Sequence, residues 1–295
     1  MPRTYAVIGG AGQLGRDLAR LLAEQGEQAV PLTRAQLDLT TPARIGPVLD
    51  ELRPSVVINC AAYNYVDRAQ TEPEAAFAVN ALAPFHLAQA CRDRAILLVH
   101  FSTDYVFGLD TTRQQPYRTT DPPGPVSVYG ASKLAGEALV RAVAGPHLII
   151  RTCGLYGVHG TGGKGGNFVE TMLRLAGQGK PLRVVNDQHC TPSYTVDVAR
   201  ATLELLATGQ TGLFHVVNSG DCTWYAFAQT IFRLAGVAAD LTPIPSSEYP
   251  TPARRPSYSV LATDALEAVG IPLLRPWPDA LAAYLLERQQ HTPAR

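Results

Sequence analysis

Apolar residues follow one rhythm through the first half of this chain and lose it afterwards. In the first half, short apolar runs alternate with segments whose apolar residues recur at helical spacing, which predicts the βα alternation of a parallel sheet. Thr4–Ile8 is the first run, and residues 12–25 then place Leu14, Leu18, Leu21 and Leu22 on one helical face. Gln28–Leu32, Val56–Asn59, residues 96–102 and His147–Thr152 read as further strands, with helices over 42–52 and 75–92 between them. Pro116, Pro122, Pro123 and Pro125 mark an irregular loop before another helix, the one that carries Tyr129.

The rhythm then breaks. Residues 154–166 are rich in glycine and lead into an amphipathic helix, Phe168–Ala176, and later runs are shorter and interrupted by proline, notably over 243–256. Leu182–Val185 and residues 213–217 read as strands that return to the main sheet. The expected architecture is α/β: a doubly wound, Rossmann-like parallel sheet with a smaller, mostly C-terminal α/β substrate lobe. Residues 1–152 are expected to form the nucleotide-binding domain, rejoined by about 183–220, and residues 153–182 and 221–295 the lobe.

Composition narrows the function classes. At 295 residues, 46% apolar and 17% charged, the chain can bury a full core. Charge balances at 25 basic against 25 acidic residues, so nothing points to bulk nucleic acid or an anionic membrane. No apolar run is long enough to span a bilayer, and the chain runs straight into its first strand without a signal-peptide core. Five cysteines, odd in number and without a C-x-x-C pair, read as reduced small hydrophobes of a cytoplasmic protein. The histidines lack metal-ligand spacing, so no metal is expected, and His100 inside a strand reads as core.

The chemistry concentrates in two places. Gly9-Gly10-Ala11-Gly12-Gln13-Leu14-Gly15 follows the first strand and opens the first helix, supplying the tight turn and helix N-terminus that a pyrophosphate needs. Thr33 and Arg34 end the second strand, where the arginine either meets a 2′-phosphate or is simply solvated; the first reading favours NADPH with NADH tolerated. Asp38 and Leu39, slightly further on, are placed to hold the adenine edge. Tyr129 and Lys133 stand four residues apart, so phenol and ammonium face the same way, and the cation is expected to lower the phenol from its free value of about 10. Thr103 ends the fourth strand at the carboxyl edge of the sheet, where its hydroxyl can bond a substrate carbonyl, with Ser102 as the fallback. Together these suggest hydride transfer to or from a carbonyl. The run around Lys164 is not a Walker A loop, because Val158 and Gly165 occupy its glycine and Ser/Thr places. It reads as a flexible loop bordering the substrate, anchored by Asn167.

Gly12-Gln13-Leu14-Gly15, Asn59-Cys60-Ala61-Ala62-Tyr63, Val66-Asp67, Ser102-Thr103-Asp104-Tyr105-Val106-Phe107, Tyr129-Gly130-x-x-Lys133-Leu134-x-Gly136-Glu137, Asn167-Phe168 and Asn186-Asp187-Gln188 occur in order. This series, continued by Arg255-Pro256-x-Tyr258-Ser259-x-Leu261 and Pro276-Trp277, resembles the dTDP-4-dehydrorhamnose reductase family over nearly the whole chain. The resemblance implies reduction by NADPH or NADH of the C4 ketone of a nucleotide-linked 4-keto-6-deoxyhexose. It implies Gly12, Gln13 and Leu14 on the cofactor phosphates, Asp38 and Leu39 on the adenine, and Ala61, Ala62 and Tyr63 along the cofactor. Tyr129 would give the proton, Lys133 would hold the nicotinamide ribose, and Thr103 and Asp104 would contact the sugar. Some relatives are metal-bridged dimers; a homodimer stays open here, although Asp17 and Asp279 are too isolated to suggest such a bridge.

One departure stands out. Where many relatives carry a tryptophan after Arg-Thr-Ser, Arg151-Thr152-Cys153 is followed by Gly154, so Tyr156 or the glycine-rich loop is expected to cover the sugar, or the substrate differs slightly. Two other readings compete. A sugar-nucleotide 4,6-dehydratase would place a second carboxylate after Asp104, where this chain has Tyr105. A regulatory subunit like that of methionine adenosyltransferase would bind NADP without catalysis, and intact Thr103, Tyr129 and Lys133 argue against it.

Overall fold

Six strands make the central sheet, and its inner strands are mostly apolar because helices cover both faces. The computed structural model describes residues 2–159 and 166–291. The chain runs β1 (Thr4–Ile8), α1 (Gln13–Glu24), β2 (Gln28–Leu32), α2 (Ile45–Leu52), β3 (Val56–Asn59), α3 (Val66–Ala69), α4 (Pro73–Phe77), α5 (Ala83–Arg92), β4 (Leu97–Thr103), α6 (Val128–Ala142) and β5 (His147–Thr152). It continues with β6 (Leu155–Tyr156), α7 (Phe168–Ala176), β7 (Leu182–Val185), β8 (His189–Cys190), β9 (Ser193–Tyr194), α8 (Thr195–Ala207), β10 (Gly212–His215), β11 (Cys222–Thr223), α9 (Trp224–Ala235), β12 (Leu241–Ile244), α10 (Asp264–Glu267) and α11 (Trp277–His291). The main sheet is parallel in the order β2-β1-β3-β4-β5-β10. Its order reverses between β1 and β3, and ligands of such sheets bind beyond the carboxyl ends of the strands at that point.

Leu14, Leu18, Leu21 and Leu22 of α1 join α8 in the core on one face, and residues of α2, α5 and α6 fill the other. A third core binds α7, α9 and α11 around Tyr156, Phe227 and Tyr284, and this is the lobe. Among the described residues no helix is long and apolar enough to cross a membrane.

Two expectations are corrected. Of the two strands expected to return to the main sheet, β10 does so beside β5, whereas β7 pairs in parallel with β12. Leu182 and Val184 of β7 bury in the core around α9, while Arg183 between them is exposed and pairs with Glu248. The helix expected over 75–92 starts at Pro73 and is interrupted by a π-helical turn at Ala78–Leu82. Pro84 lacks an N–H and would crowd the carbonyl four residues back, which is that of Asn80, and the wider turn relieves this. The Asn80 side chain then accepts from Tyr63 N at 2.8 Å and donates to Tyr63 O at 2.9 Å and to Ser132 Oγ at 3.0 Å, tying the segment after β3 to α6.

Candidate active site

The turn after β1 is shaped by close backbone approach. Gly9 has φ +76°, and a Cβ there would lie 2.8 Å from Ala61 N; one on Gly15 would lie 2.5 Å from Gly9 O. Gly12 is the N-cap of α1 and offers no side-chain cap, so the first N–H groups of the helix face outward toward the cleft. Gln13 donates to Leu155 O at 3.0 Å, while its buried Oε1 has no partner. An uncapped helix start, glycines that admit a close backbone, and an orphaned buried acceptor fit a dinucleotide's pyrophosphate.

This turn forms one wall of a cleft of about 440 Å³. Gly9, Gly12, Gln13, Leu14 and Ala62 line it, and so do Ser102, Thr103 and Asp104 at the end of β4 and Tyr129 and Lys133 on α6. The start of α6 is fixed on both sides. Ser127 Oγ accepts from Gly130 N at 3.2 Å, and Gln70 Oε1 accepts from Val128 N at 2.7 Å. A Cβ on Gly130 would sit 2.1 Å from Tyr105 O, so only glycine lets the helix rest on the 104–106 turn.

Thr103 and Tyr129 line the cleft together, and Thr103 Oγ1 donates to Asp104 Oδ1 at 3.0 Å. The ring of Tyr105 meets that of Tyr129 edge to face at 5.8 Å. Burial pushes the Tyr129 phenol up to about 12, with Thr103 pulling it down and Asp104 pushing it further up. The expected lowering by Lys133 is therefore corrected: loss of solvent raises the phenol, and the ammonium is turned to Phe101 O, to which it donates at 2.6 Å. Burial drives Lys133 itself down to about 8 against the pull of Glu137.

Asp104 is buried, its carboxyl pushed up by that burial, and Ser259 Oγ from the C-terminal segment donates to its Oδ2 at 2.6 Å. Ser102 is no fallback for Thr103, since its hydroxyl is held by Glu137 Oε1 at 2.5 Å. Asn167 does not line the cleft. It caps α7, accepting from Glu170 N at 3.0 Å and donating to Gly157 O at 3.1 Å, and the next residue, Phe168, reaches the cleft instead. Arg34 lies away from the cleft, 81% exposed and paired with Asp38 at 3.0 Å. Asp38 also accepts from Thr40, and Leu39 packs into the core beside Leu37. Ala61 packs against that same core, its N–H bonded to Asn59 Oδ1 at 3.1 Å, and the Tyr63 phenol turns to Glu72. His100 is wholly buried, with Nδ1 3.1 Å from Asn59 Nδ2.

The glycine-rich run 160–165 falls outside the described residues. Tyr156 does not cover the cleft: it is buried among Tyr194, Phe227 and Tyr284. The aromatic cover comes from Trp224 at the start of α9 and Phe168 at the start of α7, with ring centroids 4.8 Å apart. Sequence reasoning missed Trp224, because nothing local distinguishes it from an ordinary first residue of a helix. Gly154, in the place of the expected tryptophan, has φ +53°, where a large side chain is strained. A second cavity of about 300 Å³ shares Tyr105, Phe168 and Trp224 with the first and adds Met172, Val184, Arg183 and Arg255.

A family profile described as the RmlD substrate binding domain matches residues 4–290. The dTDP-4-dehydrorhamnose reductase of Streptomyces griseus is 42% identical over 284 residues, covering 94% of this chain and 91% of that protein. The spore coat polysaccharide biosynthesis protein SpsK of Bacillus subtilis is 39% identical over 282 residues, 96% of each chain. Among solved structures, dTDP-4-dehydrorhamnose reductase from Bacillus anthracis in complex with NADP superimposes with TM-score 0.92 at 34% identity, covering 97% of this chain and 100% of that one.

Proposed function

Because the chain belongs to the RmlD substrate-binding-domain family, we propose that it is an NAD(P)H-dependent reductase of a dTDP-linked 4-keto-6-deoxyhexose, converting dTDP-4-dehydro-L-rhamnose to dTDP-L-rhamnose. The observation that carries this reading is that Thr103 and Tyr129, at the carboxyl edge of the sheet, line the same cleft as the uncapped start of α1. When bound, the reduced nicotinamide supplies the hydride.

The chain's own groups supply the rest. A phenol held at about 12 keeps its proton at neutral pH, which suits the donor in a reduction. Thr103 orients the ketone oxygen toward that proton, and Asp104, fixed by Ser259, keeps Thr103 in place. Lys133 is the cation beneath the pair and would hold the nicotinamide ribose. Gly12, Gln13 and Leu14 would receive the pyrophosphate, and Arg34, free to swing at the open end of β2, would meet a 2′-phosphate, favouring NADPH over NADH. In the second cavity, Arg183 and Arg255 beside the apolar Met172 and Val184 suit a nucleoside diphosphate: cations for phosphate, an apolar slot for the base. Phe168 and Trp224, shared by both cavities, would pack on the sugar between them. Tyr105 in place of a second carboxylate leaves no acid/base pair for a dehydration. All five cysteines are free, which supports work in a reducing compartment, the cytoplasm.

The test is an assay of the purified protein with the dTDP-4-keto-6-deoxy sugar and each cofactor, the product identified by NMR. Oxidation of NADPH with formation of dTDP-L-rhamnose is expected. No oxidation with any nucleotide-linked keto sugar would remove the reading.

A further inference from the structure

Behind the lysine lies a set of charges that sugar reduction, as derived from Tyr129 and Thr103, does not use. Glu137 stands one helical turn beyond Lys133 on α6, and both are buried, at 1% and 2% exposure. The carboxylate is fixed from two strands. Arg151 on β5 donates from Nε to Oε1 at 2.9 Å and from Nη2 to Oε2 at 2.7 Å, and Ser102 on β4 donates to Oε1 at 2.5 Å. Ser102 and Arg151 are register partners in the sheet, one residue before Thr103 and Thr152. A buried ion pair of this kind gives little net stability over an apolar filling of the same shape. Its position one helical turn from Lys133, which among the described residues is the lysine that lines the cleft, therefore points to a role beyond packing.

The surroundings leave that lysine little other support. Its ammonium donates to Phe101 O, and the other ionisable groups facing it are Cys60 after β3 and His100 on β4. Burial pushes the thiol up and the imidazole well down, so both stay neutral. Facing Glu137 is Arg151, with His215 of β10 behind it at 3.5 Å, and burial drives His215 down to about 3, again neutral. Glu137 is thus the anion in this group.

We propose that Glu137 is a positioning residue: a buried counter-charge, one helical turn from Lys133 and locked by Arg151 and Ser102, that keeps Lys133 charged. Its consequence for turnover rests on the reductase reading, but its effect on the lysine does not. Without the carboxylate, Lys133 gives up its proton at lower pH, so the damage done by removing Glu137 is reversed by acid.

The chain has only three lysines, Lys133, Lys164 and Lys180, so ¹³Cε-lysine NMR can follow Lys133 directly in the intact protein. In the wild type, Lys133 is expected to titrate near 8. In Glu137→Gln the Lys133 signal should titrate lower by about one on the pH scale, or more. The charged fraction of the lysine, and with it sugar reduction, should then drop about fivefold at pH 8 and return to within about twofold of wild type at pH 6. Glu137→Gln leaves Arg151 buried without its carboxylate, so Glu137→Gln/Arg151→Gln, which removes both charges, is measured beside it and should move the titration in the same direction. An unchanged Lys133 titration, a loss of activity equal at all pH values, or failure of both variants to fold would overturn the proposal. A wild-type protein that reduces no keto sugar would overturn the reductase reading alone, because the lysine titration still decides the role of Glu137.

Discussion

The two walls of the cleft are built by different means. The sheet-side wall depends on backbone contacts and buried polar bonds: Gly9 against Ala61, Gly130 against Tyr105 O, Gly136 against Asn80 O, and Thr103 and Ser259 bonded to Asp104. The lobe-side wall depends on side chains, chiefly Phe168 and Trp224 at the first positions of α7 and α9. A wall of backbone contacts tolerates almost no added atom, whereas a wall of side chains can be re-cut one residue at a time. Under the proposed function, this division would let the fit to the sugar vary while the chemistry stays constant.

Substitutions on each side sharpen that contrast. The largest effect should come from Tyr129→Phe, which removes the proton donor and should cut kcat about 100- to 10,000-fold with little change in NADPH affinity, read by steady-state kinetics and cofactor titration. Next comes pH. Lys133, lowered to about 8, is charged below that value and loses its charge above it, so kcat should fall on the alkaline side by up to about tenfold for each step of one in pH. Tyr129, at about 12, keeps its proton across this range, so the limb should report the lysine. A limb that appears only near the free lysine value of about 10.4 would contradict the burial of Lys133. Gly136→Ala puts a Cβ 2.1 Å from Asn80 O, and overpacking of this kind costs about 1–3 kcal/mol, visible as a lower Tm together with a lower kcat. On the other wall, Trp224→Ala should raise KM for the nucleotide sugar by up to about tenfold while leaving kcat and the NADPH constant nearly unchanged. An equal loss in kcat would show that the two walls are not independent. Smallest of all, Arg34→Ala should weaken NADPH about fivefold and NADH hardly at all, since an exposed ion pair is worth about 1 kcal/mol or less.

The same division decides how much can be read from the sequence. The main sheet is legible because buried parallel strands are written as apolar runs, and Thr4–Ile8, Val56–Asn59 and His147–Thr152 have the expected bounds, as does the more exposed edge strand Gln28–Leu32. Likewise, Tyr129, Lys133 and Thr103 come together as their placement on a helix and a strand end implies. The environment of those residues is not legible. Spacing alone suggests that Lys133 acidifies Tyr129, but the outcome depends on desolvation by elements distant in the chain. Leu182–Val185 reads as a strand in any context, and only the company of α9 and β12 sends it to the lobe. Asn167 and Tyr156 look available for substrate because a sequence does not show that a cap or a core has already claimed them. Trp224 escapes notice for the converse reason, since its position over the cleft is set by packing against Phe168 from a separate helix.

The central claim is that Tyr129 and Thr103 hold a sugar C4 ketone for hydride delivered from the nicotinamide. It is tested most directly by reacting the protein with dTDP-4-dehydro-L-rhamnose and NADPH carrying deuterium at the transferable nicotinamide C4 position. The product should carry one deuterium, located by NMR at C4 of the sugar. Product without deuterium at C4, or with the label at another carbon, would contradict the claim.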